Sequence, residues 1–142
     1  MVMTSASKSE LDGLVERASL AASNSYSPYS LFKVGAALLL TNGQVVTGTN
    51  VENVSFGLTI CAERAALVRA VSEFGPGIRI AAVAVANLNN AASPPCGACR
   101  QMLAEFAGPE ATVVFPAAAG TITMRFDEVL PLGFDMQLKS DR

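Results

Sequence analysis

The feature that most limits how this chain can fold is an apolar run at residues 80–86 that contains no polar side chain. A strand with apolar residues on both faces is stable only when both faces are covered, so this run predicts a sheet with helices packed on each side. It is far shorter than the roughly 20 residues of a membrane-spanning helix, and so is the other long apolar run, at residues 35–40. We therefore expect no membrane partner.

Other patterns supply the rest of such a sheet. Asn42-Gly43 separates two apolar, β-branched segments, which is the strongest short-range signal for a β-hairpin. Helical periodicity with Gly or Pro terminators predicts three helices, and apolar runs predict five strands. The predicted order is α-β-β-α-β-α-β-β, with helices at 8–24, 61–74 and 96–107 and strands at 32–40, 44–49, 80–86, 111–115 and 121–126. The fold class is α/β: a single three-layer α/β/α domain over residues 1–142, with its core at about 8–135 and a five-stranded mixed sheet.

Composition excludes several classes of function. Ten basic and twelve acidic residues give a formal net charge of −2 without a basic run, which argues against a nucleic-acid partner. The chain has no histidine, which excludes mechanisms that need a Ser-His or Cys-His pair or a histidine ligand. The first ten residues lack the apolar segment of a signal peptide, so we expect a cytoplasmic protein. Because 51% of the residues are hydrophobic, some apolar surface is expected to lie between subunits.

The three cysteines are an odd number, which favours metal binding over disulfides. Cys61 and the pair Cys96 and Cys99 stand at predicted helix starts, where free backbone N–H groups stabilise a thiolate. Together they can occupy three corners of a tetrahedron, and three protein ligands with one open position are typical of a catalytic zinc. Glu63, two residues after Cys61, can sit beside that position and move protons.

The zinc interpretation has to account for the charge of the thiolates and for the other roles that each residue could have alone. Three thiolates on Zn²⁺ leave a net negative charge, which Arg64 and Arg100 can reduce by donating hydrogen bonds to the sulfurs. Taken alone, Cys96 and Cys99 also fit a redox pair or inert core cysteines, and Glu63 fits a solvated helix residue. The combination of all these residues favours the zinc site over either alternative.

Several segments of the chain match one known family. They are Tyr26-Ser27-Pro28-Tyr29-Ser30, Phe32, Val34-Gly35-Ala36-Ala37, Gly48, Asn50-Val51-Glu52-Asn53, Cys61-Ala62-Glu63-Arg64, Pro95-Cys96-Gly97-Ala98-Cys99-Arg100-Gln101 and Leu130-Pro131. Together they resemble the zinc-dependent cytidine deaminases, and within them the small homotetrameric enzymes that act on free nucleosides. The resemblance covers about residues 8–135. It implies one Zn²⁺ per chain and a homotetramer with sites at the subunit interfaces.

The resemblance also implies roles for individual residues. These are zinc ligation by Cys61, Cys96 and Cys99, proton transfer by Glu63, hydrogen bonding to the thiolates by Arg64, contact with the base by Phe32 and the backbone of Ala62, ribose binding by Asn50 and Glu52, and contact with an adjacent subunit's site by Phe56 and Phe134. Independently of the resemblance, an amide and a carboxylate two residues apart in an irregular segment can both accept hydrogen bonds from vicinal hydroxyls and so orient them. Phe56 departs from the family, where tyrosine is common, so we expect an altered hydrogen bond near the site and unaltered chemistry.

The implied reaction is hydrolytic deamination of cytidine and 2′-deoxycytidine to the uridines with release of ammonia, as in pyrimidine salvage. One alternative is a deaminase of a cytosine-containing antibiotic such as blasticidin S, a family that shares the zinc motif. The segment at residues 50–53 favours a nucleoside over that substrate. A second alternative is a non-catalytic zinc module, which would have a closed metal site and tolerate the loss of Glu63.

Overall fold

The computed structural model describes residues 6–136, which contain a five-stranded sheet with helices on both faces. The strands are β1 (Val34–Leu40), β2 (Val45–Thr49), β3 (Ile80–Asn87), β4 (Ala107–Ala117) and β5 (Gly120–Arg125), and the helices are α1 (Lys8–Ala22), α2 (Ala62–Phe74), α3 (Gly97–Ala104) and α4 (Phe126–Val129). Across the sheet the order is β2-β1-β3-β4-β5. Only β3 and β4 are parallel and the other neighbours are antiparallel, so the predicted α/β class with a five-stranded mixed sheet is confirmed.

Strand β3 lies at the centre of the sheet and is buried on both faces, as its apolar run predicts. Small side chains, including Ala82 and Ala84, face α1 and pack against Leu14. Branched side chains on the opposite face, such as Val83, pack in the larger cluster formed with α2, α3 and α4. The two apolar clusters make three layers, with α1 alone on one side. No helix within residues 6–136 is long and apolar enough to cross a membrane.

Two glycines allow helices to touch the sheet backbone. A Cβ atom added to Gly35 of β1 would lie 1.9 Å from the carbonyl oxygen of Ala18 in α1. A Cβ atom added to Gly48 of β2 would lie 2.7 Å from the carbonyl oxygen of Ala62 and 2.4 Å from the amide nitrogen of Ala66, both in α2. Gly48 therefore seats the first turn of α2 directly against the sheet.

The predicted hairpin forms across Asn42-Gly43. Strands β1 and β2 are antiparallel, with Leu39 opposite Val45. Gly43 has a φ of 89°, a left-handed conformation that glycine adopts without steric cost, and the side chain of Asn42 accepts a hydrogen bond from the amide of Gln44 at 2.9 Å. The turn chemistry alone was sufficient to locate this element.

The structure differs from the prediction around residues 104–112. Helix α3 ends at Ala104, and β4 begins at Ala107 instead of residue 111. The pairing of β3 with β4 shifts between Ala107 and Thr112, so Gly108 and Pro109 lie in an irregularity of the strand. A proline is tolerated there because no ladder hydrogen bond is required of it. The short helix α4, directly after β5, was also absent from the prediction.

Candidate metal centre and active site

Three thiol groups meet where α2 and α3 begin. Cys61 is the N-cap of α2, Cys96 is the N-cap of α3, and Cys99 lies in the first turn of α3. The Sγ atoms of Cys61 and Cys96 are 3.8 Å apart, those of Cys96 and Cys99 are 3.3 Å apart, and all three lie within 4.8 Å of one another. Zn–S bonds near 2.3 Å in a tetrahedral site place sulfur atoms roughly 3.8 Å apart. The donor set therefore fits a zinc ion.

The surroundings of the thiols favour negative charge on Cys61. A hydrogen bond from Cys99 and a second one from Arg64, whose Nη2 lies 3.3 Å from the sulfur, lower the pKa of Cys61 to about 5. The pKa of Cys99 is raised, because its proton is held by Cys61 and because the group is buried. The backbone amide of Cys99 also donates to Cys96 Sγ at 3.4 Å. At neutral pH Cys61 is thus a thiolate, the form that binds metal.

The two arginines next to the cysteine motifs have different partners. The hydrogen bond to Cys61 raises the pKa of Arg64, which keeps a positive charge against the sulfurs. The sequence also predicts Arg100 as a donor to the sulfurs, but its Nε and Nη1 donate instead to the carbonyl groups of Pro95 and Val129 at 2.7 and 2.8 Å. Arg100 therefore ties the start of α3 to α4 and leaves charge compensation to Arg64.

Glu63 is an acidic side chain that the fold has placed out of water. It lies in the first turn of α2 and is 4% exposed, and Ala62 beside it is fully buried. Burial raises the pKa of the Glu63 carboxyl group, and the negative charge of Cys61 raises it further. A carboxyl group with a raised pKa can hold and release a proton nearer to neutral pH, as a general acid–base requires.

Asn50 is buried and braces the strand and loop that surround it. Its Oδ1 accepts hydrogen bonds from the Ser25 hydroxyl group and from the amide of Val34, the latter at 3.0 Å. Its Nδ2 donates to the carbonyl group of Phe32 at 2.8 Å. With both acceptor positions used, the side chain retains one N–H group for a ligand. Asn50 can therefore donate to a ligand hydroxyl group, in contrast to the acceptor role predicted from the sequence.

Glu52 holds the loop that precedes β1. Its Oε1 accepts from the amides of Tyr29 and Ser30 at 3.0 and 3.1 Å, and its Oε2 accepts from the Ser30 hydroxyl group. The hydroxyl group and the two amides lower the pKa of the Glu52 carboxyl group, so it is ionised at neutral pH. The carboxylate retains acceptor capacity for a ligand hydroxyl group.

Backbone hydrogen bonds link this segment to the metal centre. Val51, between Asn50 and Glu52, exchanges two hydrogen bonds of 2.9 Å with Ile60, the residue before Cys61. Glu52 also donates its amide to the carbonyl group of Tyr26 at 2.8 Å. The two residues expected to bind ribose are thus held by the same piece of backbone that leads into the metal ligands.

The three predicted aromatic residues lie in different settings. Phe32 is half-buried two residues before the start of β1, whereas Phe56 and Phe134 are 75% and 76% exposed. The rings of Phe56 and Tyr29 form an edge-to-face pair with a centroid distance of 6.3 Å and an interplanar angle of 69°. Phe134 is attached through its backbone, which exchanges hydrogen bonds of 2.8 and 3.0 Å with the Gln101 side chain of α3. Within this chain, neither exposed ring is covered as a core residue would be.

Sequence reasoning missed the polar residues that hold these groups in place, chiefly Ser25 and Asn89. Asn89 bonds to the backbone on both sides of Phe32. The cluster of asparagines at residues 87–90 indicates a turn but not its distant partner.

Comparisons with known proteins agree with this site. Residues 8–115 match the family described as the cytidine and deoxycytidylate deaminase zinc-binding region. The chain is 43% identical over 130 residues to the cytidine deaminase of Halalkalibacterium halodurans. The aligned region covers 90% of this chain and 96% of that protein. The crystal structure of cytidine deaminase from Burkholderia pseudomallei superimposes with a TM-score of 0.77 at 41% identity, covering 87% of this chain and 98% of that one. For the Mycobacterium tuberculosis enzyme the TM-score is 0.76 at 41% identity, with 88% and 97% covered. This chain belongs to the zinc-binding cytidine and deoxycytidylate deaminase family.

Proposed function

We propose that this protein removes the amino group of cytidine and 2′-deoxycytidine by hydrolysis, releasing ammonia and forming the corresponding uridines. The observation that carries the proposal is the meeting of three thiols within 4.8 Å with a buried carboxyl group two residues from one of them. A structural zinc site needs no buried acid beside it, whereas a hydrolytic site needs a group that moves protons.

The residues divide the chemistry among them. Cys61, Cys96 and Cys99 hold the zinc ion, which when bound supplies Lewis acidity and activates a water molecule toward the carbon that loses its amino group. Glu63 accepts one proton from the attacking water and delivers it to the N3 atom of the base. It then takes the second proton from the hydroxyl group that has added to the ring carbon and delivers it to the departing amine, as that hydroxyl group becomes the carbonyl group of the product. Arg64 offsets the thiolate charge through its hydrogen bond to Cys61. The backbone of Ala62 contacts the base near its amino group.

Nucleoside recognition falls to residues held by the loop network. Asn50 donates its remaining N–H to a ribose hydroxyl group, chiefly the 3′-hydroxyl, and Glu52 accepts from the sugar. Because 2′-deoxycytidine keeps the 3′-hydroxyl, both nucleosides fit this arrangement. Phe32 packs against the pyrimidine ring. These contacts predict that free cytosine, which lacks the sugar, is a much poorer substrate.

We also propose a homotetramer whose sites lie at subunit interfaces, in the cytoplasm and serving pyrimidine salvage. The exposed apolar side chains of Val54, Phe56 and Leu58, close together in one segment, and the exposed ring of Phe134 support the assembly, since grouped apolar side chains at a surface commonly mark an interface. The three free thiols support a reducing compartment, where cysteines stay available to bind metal. Sedimentation of the purified protein tests the assembly directly.

The decisive experiment follows the absorbance of cytidine with the zinc-loaded protein, with the protein treated with a strong chelator, and with the Glu63→Gln variant. We expect turnover only in the first sample, one zinc ion per chain in the first and third, and ammonia equal to the cytidine consumed. Blasticidin S and cytosine serve as comparison substrates. A protein that holds one zinc ion but leaves cytidine unchanged would refute the proposal.

A further inference from the structure

The side chain of Asn89, after the end of β3, bonds to a segment more than fifty residues away. Its Oδ1 accepts a hydrogen bond from the amide of Lys33 at 2.9 Å, and its Nδ2 donates to the carbonyl group of Leu31 at 2.9 Å. The neighbouring amide of Leu88 donates to the carbonyl group of Lys33 at 3.0 Å. The Asn89 side chain is therefore hydrogen-bonded to the backbone on both sides of Phe32.

The segment needs to be held because its conformation is strained. Leu31 has a φ of 61°, a left-handed conformation that is unfavourable for a non-glycine residue. The backbone of Phe32 donates to the Ser30 hydroxyl group at 3.0 Å and accepts from Asn50 at 2.8 Å. With the two bonds from Asn89, the peptide groups from Leu31 to Lys33 are held largely by polar side chains. Strain of this kind persists only when the surroundings enforce it.

The loop that contains Asn89 does not need this side chain for its own shape. Asn87 already organises the loop, because its Nδ2 donates to the carbonyl group of Ala91 and the hydroxyl group of Ser93 at 2.8 and 3.0 Å. Its Oδ1 accepts from the amides of Asn89 and Ala91. The hydrogen bonds of the Asn89 side chain both go to the segment around Phe32.

We propose that Asn89 is a positioning residue that fixes Phe32 where it meets the pyrimidine ring of the substrate. The inference rests on the proposed function only in assigning Phe32 to the base. Because Phe32 contacts the base before and during reaction alike, loss of Asn89 should weaken binding without changing the chemical step.

The test is the Asn89→Ala variant, assayed with cytidine. We expect KM to rise about three- to tenfold, the range for losing two exposed hydrogen bonds, while kcat stays within about twofold. Asn42→Ala is the matched control, because Asn42 is also exposed and bonds through its side chain to a backbone amide, at the opposite end of β1. We expect an unchanged KM for that control. If Asn89→Ala fails to fold, Asn89→Asp keeps the acceptor for the Lys33 amide, replaces the donor to Leu31 by a charged oxygen that repels its carbonyl group, and should also raise KM.

A double-mutant cycle with Phe32→Ala separates positioning from a general loss of structure. If Asn89 acts through Phe32, adding Asn89→Ala to Phe32→Ala should change KM by less than about twofold. Fully additive effects, or an unchanged KM in Asn89→Ala, would overturn the inference while leaving the proposed function intact. Wild-type protein that does not deaminate cytidine would overturn the proposed function instead. In that case hydrogen exchange still tests whether Asn89 holds the segment around Phe32. Asn89→Ala must lower the protection of the Lys33 amide, and unchanged protection would refute this positioning role.

Discussion

Replacing Gly48 by alanine tests whether the contact between β2 and α2 sets the geometry of the metal centre. The added Cβ would lie 2.4 Å from the amide nitrogen of Ala66, whereas ordinary contacts begin at 3.4 Å. The atoms it meets belong to the helix backbone and cannot rotate away. Relief therefore requires α2 to retreat from the sheet by roughly 1 Å, the distance that restores ordinary contact.

That displacement is large for a metal site. Cys61 moves with α2, while Cys96 and Cys99 belong to α3, and metal–ligand distances tolerate only about 0.2 Å. We expect zinc affinity to fall by about one to two orders of magnitude, similar to the loss of a supporting residue around a metal site. Overpacking should also cost about 1–3 kcal/mol of stability, or roughly 3–9 °C in Tm for a chain of this size.

Gly35→Ala is the matched control, because its Cβ would meet the backbone of α1, which carries none of the three cysteines. The assay is zinc content per folded chain, measured after size-exclusion chromatography against a graded series of chelator concentrations, together with Tm. We expect both variants to lose stability and only Gly48→Ala to lose zinc affinity. Equal zinc affinity in the two folded variants would refute the argument that Gly48 sets the position of Cys61.

Three further changes probe other parts of the site. Glu63→Gln keeps the volume of the side chain but cannot carry a proton, so kcat should fall by at least roughly 10²–10⁴-fold while zinc content stays at one per chain; retained turnover would show another proton route. In zinc-free protein, Cys61 should be alkylated by iodoacetamide with a midpoint near pH 5, because the pKa of its thiol is about 5. Reactivity should rise with pH through that midpoint and then level off, and Arg64→Gln should move the midpoint upward; peptide mass spectrometry at each pH checks both. Glu52→Ala frees the amides of Tyr29 and Ser30 and removes the acceptor that we propose for the sugar. KM for cytidine should therefore rise about ten- to a hundredfold with zinc retained, and a metal assay run beside the kinetics checks the zinc content.

The features that sequence reasoning placed correctly are those written in local patterns. The apolar run of β3, the Asn42-Gly43 turn and the starts of α2 and α3 at their cysteines all depend on neighbouring residues. The predicted end of α3, at residue 107, was wrong because Ala107 already pairs with Ile80 of β3 as the first residue of β4. This pairing joins residues far apart in the sequence, so no local pattern indicates it.

Long-range polar contacts explain the remaining differences at the site. Arg100 is next to Cys99 in the sequence, but its guanidinium donates a hydrogen bond to the carbonyl group of Val129 in α4, 29 residues later. The hydrogen bond between Asn89 and Lys33 joins residues 56 positions apart, and no pattern of residue spacing in the sequence indicates it. Residue types at the metal centre could be read from the chain, whereas the scaffold that orients them depends on contacts that only the fold creates.

The separation of Cys61 from Cys96 along the chain also links stability to the metal supply. The two residues are 35 positions apart, and α2 and β3 lie between them, so an ion bound to both closes a long loop of the folded chain. Unfolding must then release the ion, and each tenfold increase in free zinc above its dissociation constant adds about 1.4 kcal/mol to the free energy of unfolding. The melting temperature of this protein should therefore serve as a gauge of zinc availability.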